Sequence, residues 1–378
     1  MALQSAALHS VRITPKTCWS FLRLHTQEGR TGAGEATLGG QDDMLLAAAE
    51  HILPTALREA TPEEPGGFAT GHAPDDIFEA SVVSALDQAL WDLHAQARCC
   101  SVAQCLGVRR NRVPVYANIN RRTVERSPEG FAASARAAVA AGHVAVKLAP
   151  FDEVTREVCA AGHGGRAMQA GLARVAAVRE AVGPNGRLMV DCHWRFDEAT
   201  AILLNEAAAK LGVYWIECPL PEVEGSIPAL IRLRHQCEAL GMRQAGLEQS
   251  IGWNTMRPYC EAGAYDVVMP DVKYIGGVHE LRKVAGACAD LGVAVSPHNP
   301  SGPISHAFSL QVSATLAAFD QLEMQFDESP LFDALVGAPF GSIVDGLAAL
   351  PFRSGLGATL SEPLSEKHAE RPVREWRR

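Results

Sequence analysis

Acidic and basic residues stand at or just beyond a series of short apolar runs, and their types suggest what chemistry they could do. Lys147 closes Val144-Ala145-Val146, Asp191 closes Leu188-Met189-Val190, Glu217 closes Tyr214-Trp215-Ile216, and Glu248 follows the run from Gly241 to Ala245. Asp271 follows Val267-Val268-Met269, His298 follows Val293-Ala294-Val295, and Glu323 lies within Leu322-Glu323-Met324. Asp191, Glu217 and Glu248 come from three consecutive runs. Brought together they would repel strongly unless a cation sat among them. An all-oxygen donor set favours Mg²⁺, with Mn²⁺ as a substitute. Any one of these acids alone is better explained as a surface residue on a loop; three in the same register are not. Asp271 and His298 form a second constellation. A carboxylate accepting a hydrogen bond from a histidine on the next run orients the ring and raises its basicity, as a general base requires.

Such residues converge only if the runs are parallel strands. From Val113 onward the short apolar runs alternate with Ala-rich helical stretches at 131–141, 172–181, 198–211 and 278–291, the pattern of βαβ units and a parallel sheet. Eight such strands predict a closed α/β barrel of the TIM type, (β/α)7β, whose C-terminal strand ends meet on one face. No Gly-rich dinucleotide fingerprint or P-loop follows any strand, which disfavours an open nucleotide-binding sheet. The segment 153–169, long and rich in glycine, reads as an insertion after the second barrel strand. Before the barrel, Leu8–Ile13, Ser20–His25 and Thr31–Glu35 read as strands and 44–57 and 81–98 as amphipathic helices, a small α+β unit. The expected division is residues 1–112, 113–345 and 346–378, with a loosely held tail after Pro363.

Bulk properties agree with a globular enzyme. The 378 residues are 47% hydrophobic and 20% charged, and the formal charge of -9 argues against a nucleic-acid surface. Met1–Thr14 has no apolar core flanked by positive charge, and no stretch is apolar enough to span a bilayer, so neither a signal peptide nor membrane association is expected. Ten scattered cysteines without ligand-like spacing read as small buried residues in a reducing cytoplasm.

The string Asp266-Val-Val-Met-Pro-Asp271-Val-Lys-Tyr-Ile-Gly-Gly277, followed by Val295-Ser-Pro-His298, resembles the Asp/His dyad region of the mandelate racemase subgroup of the enolase superfamily. Val190-Asp191-Cys-His193, Trp215-Ile-Glu217-Cys-Pro and Gly246-Leu-Glu248 are similar to its metal-ligand strands, and Gly32-Ala-Gly34-Glu35 and Ala85-Leu-Asp-Gln-Ala-Leu-Trp91-Asp to its capping domain. The resemblance covers the chain to about Leu360, with the motifs in the right order. It implies an N-terminal α+β cap, joined by the C-terminal segment, over the barrel mouth. It further implies Mg²⁺ on Asp191, Glu217 and Glu248, a small-molecule carboxylate substrate, an enediolate intermediate, and Glu323 hydrogen-bonded to the substrate carboxylate.

The sequence also departs from that pattern. The racemases carry Lys-x-Lys after the second strand, but here Lys147 is followed at the second position by Ala149, which puts two-base racemisation in doubt. Lys147 is then a cation near the substrate carboxylate, or the base if the register slips. Asp191-Cys-His193 resembles the Asp-x-His of sugar-acid dehydratases, in which the histidine protonates the departing hydroxide. Strand alternation would point both residues to one side. The plainer role for His193 is a hydrogen bond to substrate or to the metal site. Lys273 is a second cation in the mouth or a partner of Asp271; Asn299 and Ser301 either cap the next helix or touch substrate. The loops Thr14–Cys18 and Glu63–His72, with Lys16, are expected to set specificity. The expected function is a dehydratase, a carbon–oxygen lyase that converts a sugar acid or related hydroxy acid to a 2-keto acid. The alternatives are a racemase or epimerase of a 2-hydroxy or amino acid derivative, and a non-catalytic metal- and ligand-binding relict. A symmetric homo-oligomer is expected.

Overall fold

Alternating side chains set up an N-terminal antiparallel sheet, in which β1 (Leu3–Arg12), β2 (Cys18–Thr26) and β3 (Thr31–Glu35) pair in sequence order. The structure, a computed structural model, describes residues 1–337 and 340–378. Across one face of this sheet lie α1 (Asp42–Glu59), α2 (Gly67–Gly71) and α3 (Ile77–Ala97). Asp76 caps α3 by accepting from the N–H groups of Phe78 and Glu79, and Val82, Leu86, Ala89 and Leu93 bury against Leu22, Leu24 and Leu53. Gly32 and Gly34 are required here: a Cβ on either would lie 2.3 Å from the carbonyl oxygen of Ala89 or 1.9 Å from that of Ala85. β3 therefore rests directly on the backbone of α3. The short α4 (Val102–Leu106), closed by a Ser101/Gln104 capping box, leads to the second sheet.

There the strands are β4 (Arg112–Asn118), β5 (Ala145–Leu148), β6 (Arg187–Asp191), β7 (Trp215–Glu217), β8 (Arg243–Gly246), β9 (Val267–Val268), β10 (Ala294–Val295) and β11 (Leu322–Gln325). Adjacent strands are parallel in the order β10-β9-β8-β7-β6-β5-β4-β11. A parallel bridge between Val295 and Phe319, with Val295 N–H donating to Ala318 O at 2.7 Å, brings β10 to the start of β11 and closes the barrel. Between strands run α5 (Pro128–Ala140), α6 (Arg156–Ala160), α7 (Gly164–Val182), α8 (Glu198–Lys210), α9 (Ile227–Ala239), α10 (Gly252–Glu261), α11 (Gly277–Asp290) and α12 (Pro303–Ser313). After β11 come α13 (Leu331–Ala334), β12 (Leu347–Ala349) antiparallel to β4, α14 (Glu362–Lys367) and β13 (Arg374–Arg377). No helix among the described residues is long and apolar enough to cross a membrane.

The period-2 alternation of the strands builds two layers inside the barrel. Tyr116, Ala145, Met189, Trp215, Ala245, Val267 and Met269 form an apolar cluster. Two residues further along the same faces stand Asn118, Lys147, Asp191, Glu217 and Asp271, so an apolar floor carries a polar rim at the C-terminal mouth.

The segment 153–169, after the second barrel strand β5, holds an added helix, α6, and the start of α7. Gly164 serves close packing there, since a Cβ on it would meet the Thr200 hydroxyl at 2.5 Å. One expectation is corrected: the tail is not loose. β13 adds to the open edge of β1, giving the order β13-β1-β2-β3, and Glu50 fixes it by accepting from Arg374 Nε at 2.7 Å and Trp376 Nε1 at 3.0 Å.

Candidate active site

Asp191 ends β6, Glu217 ends β7, and Glu248 stands two residues past β8. All three are buried, and one oxygen from each lies within 4.8 Å of the others. Glu217 Oε2 accepts from the indole of Trp215 at 3.0 Å and Oε1 from Lys147 Nζ at 2.5 Å. Asp191 Oδ1 accepts from His193 N–H at 2.9 Å and Oδ2 meets His193 Nε2 at 2.6 Å. Glu248 Oε2 is buried with no hydrogen-bond partner among the described residues. Burial and the neighbouring carboxylates push Glu248 well above the usual carboxylate range and Glu217 up to about 7. Asp191 is buried too, but His193 and Lys147 draw it down to about 2. A compact set of hard oxygen donors, mutually repelling and with one buried oxygen unpartnered, fits a divalent cation.

The backbone around this cluster is strained. His193, Trp194, Cys218 and Leu247 have φ of 47°, 56°, 46° and 69°, each next to or within three residues of one of the acids. Left-handed backbone at a non-glycine residue costs about 1 kcal/mol or more and gathers where function requires it. It also corrects one inference: His193 is beyond the end of β6, so strand alternation does not aim it. The left-handed turn does, bringing its ring back onto Asp191.

Asp271 and His298 meet on the other side of the mouth, with His298 Nδ1 2.8 Å from Asp271 Oδ2. The Tyr274 hydroxyl lies 3.0 Å from the same Nδ1, and Lys273 donates its N–H to Asp271 Oδ1 at 2.8 Å and pairs its ammonium with Oδ2. With Nδ1 thus engaged, Nε2 is the free nitrogen; it lies 3.4 Å from Glu248 Oε2. Burial lowers the basicity of His298 against the pull of Glu323 and Asp271, whereas Asp191 raises that of His193.

The first sheet and its helices hold this second side in place. Gln88 of α3 donates to Val272 O at 3.2 Å, and Ser84 and Asp87 accept from Gly276 N–H at 3.0 Å and Val278 N–H at 2.7 Å. Gly277 (φ 84°) admits this approach, because a Cβ there would lie 2.4 Å from Asp87 Oδ2. Glu35 of β3, wholly buried, accepts from Gly302 N–H at 2.7 Å and Ser305 N–H at 2.8 Å, capping α12, and from Thr37 at 2.7 Å.

Lys147 lies at the floor between the two sides, 2.5 Å from Glu217 and 3.0 Å from Glu323. Burial opposes its charge, but Glu217 and Glu323 outweigh it and hold the ammonium well above its ordinary range. Glu323 is wholly buried, its oxygens taken by Asn118 Nδ2 at 2.6 Å, Lys147, and Asn299 N–H at 3.1 Å. Asn299 is thus tied to Glu323. Lys273 both pairs with Asp271 and lines the cavity, and Ser301 lines it with its hydroxyl unpartnered among the described residues.

The cavity between these groups has a volume of about 390 Å³. From the N-terminal sheet region, Thr37, Leu38, Gly39 and Ile77 reach it. The loops expected to do so do not. Lys16 is exposed on the turn between β1 and β2, whose Thr17 bonds Glu328, and Gly66 rests against His279 on α11. Sequence reasoning missed Asn118, Trp194 and Tyr274 as cavity residues. Asn118 obeys the same strand-end rule as the others; Tyr274 and Trp194 carry no spacing signal.

Residues 130–364 match the model of an enolase C-terminal domain-like family, and residues 5–107 that of the mandelate racemase/muconate lactonizing enzyme N-terminal domain. The chain is 31% identical over 365 residues to the D-gluconate dehydratase of Thermoproteus tenax, covering 93% of this chain and 70% of that protein. It is 28% identical to the D-galactonate dehydratase of Verminephrobacter eiseniae, covering 98% and 95%. The solved structure of a mandelate racemase/muconate lactonizing enzyme from Jannaschia sp. CCS1 superposes with a TM-score of 0.85 at 24% identity, over 99% of each chain.

Proposed function

The chain belongs to the mandelate racemase/muconate lactonizing enzyme family of enolase-like barrels, and from that premise we propose that it is a Mg²⁺-dependent hydro-lyase converting a sugar acid to a 2-keto acid. The observation that carries this is a pair of histidines on one cavity, His298 on Asp271 and His193 on Asp191, flanking a three-carboxylate cluster. The relatives named as sugar-acid dehydratases support the same chemistry.

Asp191, Glu217 and Glu248 would hold the cation, which when bound offsets the charge that grows on the substrate carboxylate as the α-proton leaves. His298 takes that proton on Nε2, with Asp271 and Tyr274 fixing the ring through Nδ1. His193 gives a proton to the β-hydroxyl, which departs as water. The enol that remains tautomerises to the 2-keto acid, with a proton delivered to the β-carbon. Lys147 presents a permanent cation at the floor, and Glu323, whose oxygens are already engaged, positions Lys147 instead of binding substrate. Lys273 holds Asp271 ionised. An epimerase would need a second base, but Ala149 occupies the second lysine's position and Lys147 stays protonated between two carboxylates. In this reading residues 1–112 form the cap, 113–345 the barrel, and 346–378 a segment returning to the cap.

Incubation with Mg²⁺ and a library of sugar acids, followed by a carbonyl reagent, tests it. The expected result is a 2-keto acid from at least one acid, absent in His298→Asn. Deuterium at the α-carbon in D₂O without keto acid would replace the dehydratase with the epimerase, and neither product from any acid would leave only the binding relict.

A further inference from the structure

Beside the catalytic cavity lies a groove of about 920 Å³, more than twice its volume, walled by the loops that follow β5 to β8. The two spaces share His193, Trp194 and Gln249, and no residue of the N-terminal 112 lines the groove. We propose that this groove is a second subsite that takes a sugar ring, so that the preferred substrates are sugar acids carrying a glycosyl substituent. The proposal rests on the dehydratase reading. With the β-carbon of the acid at His193, the carbons beyond it lie at the shared wall, and a substituent there enters the groove.

Trp194 is built into that wall. Its backbone is left-handed at φ 56°, a conformation that a bulky aromatic residue rarely adopts, and its N–H donates to Cys218 O at 2.8 Å. Its ring stacks on that of His193, centroids 6.3 Å apart at 27°, beside Glu222, a groove residue that accepts from Leu247 N–H at 2.6 Å and from the Tyr265 hydroxyl at 2.9 Å. The backbone turn and the stacked His193 ring therefore set the indole at the wall before any ligand arrives. Tyr259 adds a second aromatic surface, and Thr155, Arg156 and Glu157 add donors and acceptors around it. A pyranose has an apolar C–H face and a rim of hydroxyls. An immobilised aromatic ring among hydroxyl, guanidinium and carboxylate groups complements both. A groove serving only as an entrance for small acids would gain nothing from a tryptophan held in a strained, pinned position.

The test is calorimetric binding to Mg²⁺-loaded protein in a His298→Asn background, which removes the heat of turnover. The ligands are gluconate and three glycosyl gluconates: lactobionate, maltobionate and cellobionate. At least one of the three should bind tenfold or more tightly than gluconate. Trp194→Ala should abolish that gain, Trp194→Phe should recover part of it, and Thr255→Trp, which fills the groove, should abolish it again. The proposal is overturned if all three bind no more tightly than gluconate, or if the gain survives both Trp194→Ala and Thr255→Trp. Because the measurement is of binding, its outcome stands apart from keto-acid formation. A Trp194-dependent gain without any dehydration would keep the subsite and remove the lyase.

Discussion

The two sides of the barrel mouth are built in opposite ways. Around β6 to β8 the acids repel one another, a carboxylate oxygen lacks a partner among the described residues, four non-glycine residues are left-handed, and no residue of 1–112 lines the neighbouring groove. Around β9 and β10, Asp271 and Nδ1 of His298 are bonded, and Glu35, Ser84, Asp87 and Gln88 tie their loops to the N-terminal sheet and α3. The first side stores unfavourable electrostatics that a divalent cation would relieve. The second supplies its own order, as the proposed general base requires. A metal site gains affinity by being poor at satisfying itself, whereas a general base gains by being well held.

The contrast can be broken most sharply by single-residue changes on each side. Glu248→Gln and His298→Asn should each lower turnover by about 10³-fold or more, but only Glu248→Gln should weaken Mg²⁺ binding by calorimetry. Glu248→Gln should also raise the metal-free melting temperature at neutral pH, because it removes a carboxyl whose ionisation burial and the neighbouring carboxylates oppose. Equal loss of Mg²⁺ affinity in both variants would erase the distinction.

A pH effect on the tied side comes next in size. Burial raises Asp87 from 3.8 to about 7 against the hydrogen bonds from α11. The fold thus prefers the neutral carboxyl: its contribution is complete below pH 3.8 and is lost as the pH rises through 7. At about 1.4 kcal/mol per pKa unit, wild type should lose on the order of 4 kcal/mol relative to Asp87→Asn between pH 4 and pH 8. Urea midpoints of the two proteins at each pH give the difference, and parallel curves would refute the assignment.

Metal addition should stabilise the protein by about 2.7 kcal/mol at a hundredfold excess over Kd. The same addition to Asp191→Asn should leave the melting temperature unchanged. Glu35→Gln should cost about 2 kcal/mol, since charge-assisted bonds to buried N–H groups are weakened. It should lower kcat while Mg²⁺ affinity stays the same; a matching fall in Mg²⁺ affinity would show the two sides to be coupled. Smallest of all, Lys16→Ala should change kcat/KM by less than about twofold and stability by less than about 0.5 kcal/mol, as expected for an exposed residue away from the cavity.

Every barrel strand and six helices, α1, α3, α5, α7, α8 and α11, follow from local patterns, because side chains alternate along a strand and return every 3.6 residues along a helix. The positions of Asp191, Glu217, Asp271 and Lys147 follow too: each is the polar member of a face whose preceding member is apolar. In segment 153–169 glycine marks a tight approach as readily as a loop, and at Gly164 only the neighbouring Thr200 distinguishes the two.

What the amino-acid order determined by itself was the parallel barrel, the set of titratable groups on its rim and the family to which they point. Tertiary structure alone decided which of those groups face the cavity. Glu323 is drawn away by Asn118, 205 residues earlier, and Gln88 reaches Val272 across 184 residues. Trp194 is set by the neighbouring turn at Cys218 and by the His193 ring. Periodicity reports the face a residue occupies, a local property of the backbone. Whether its polar atoms remain free depends on neighbours that only folding brings into reach.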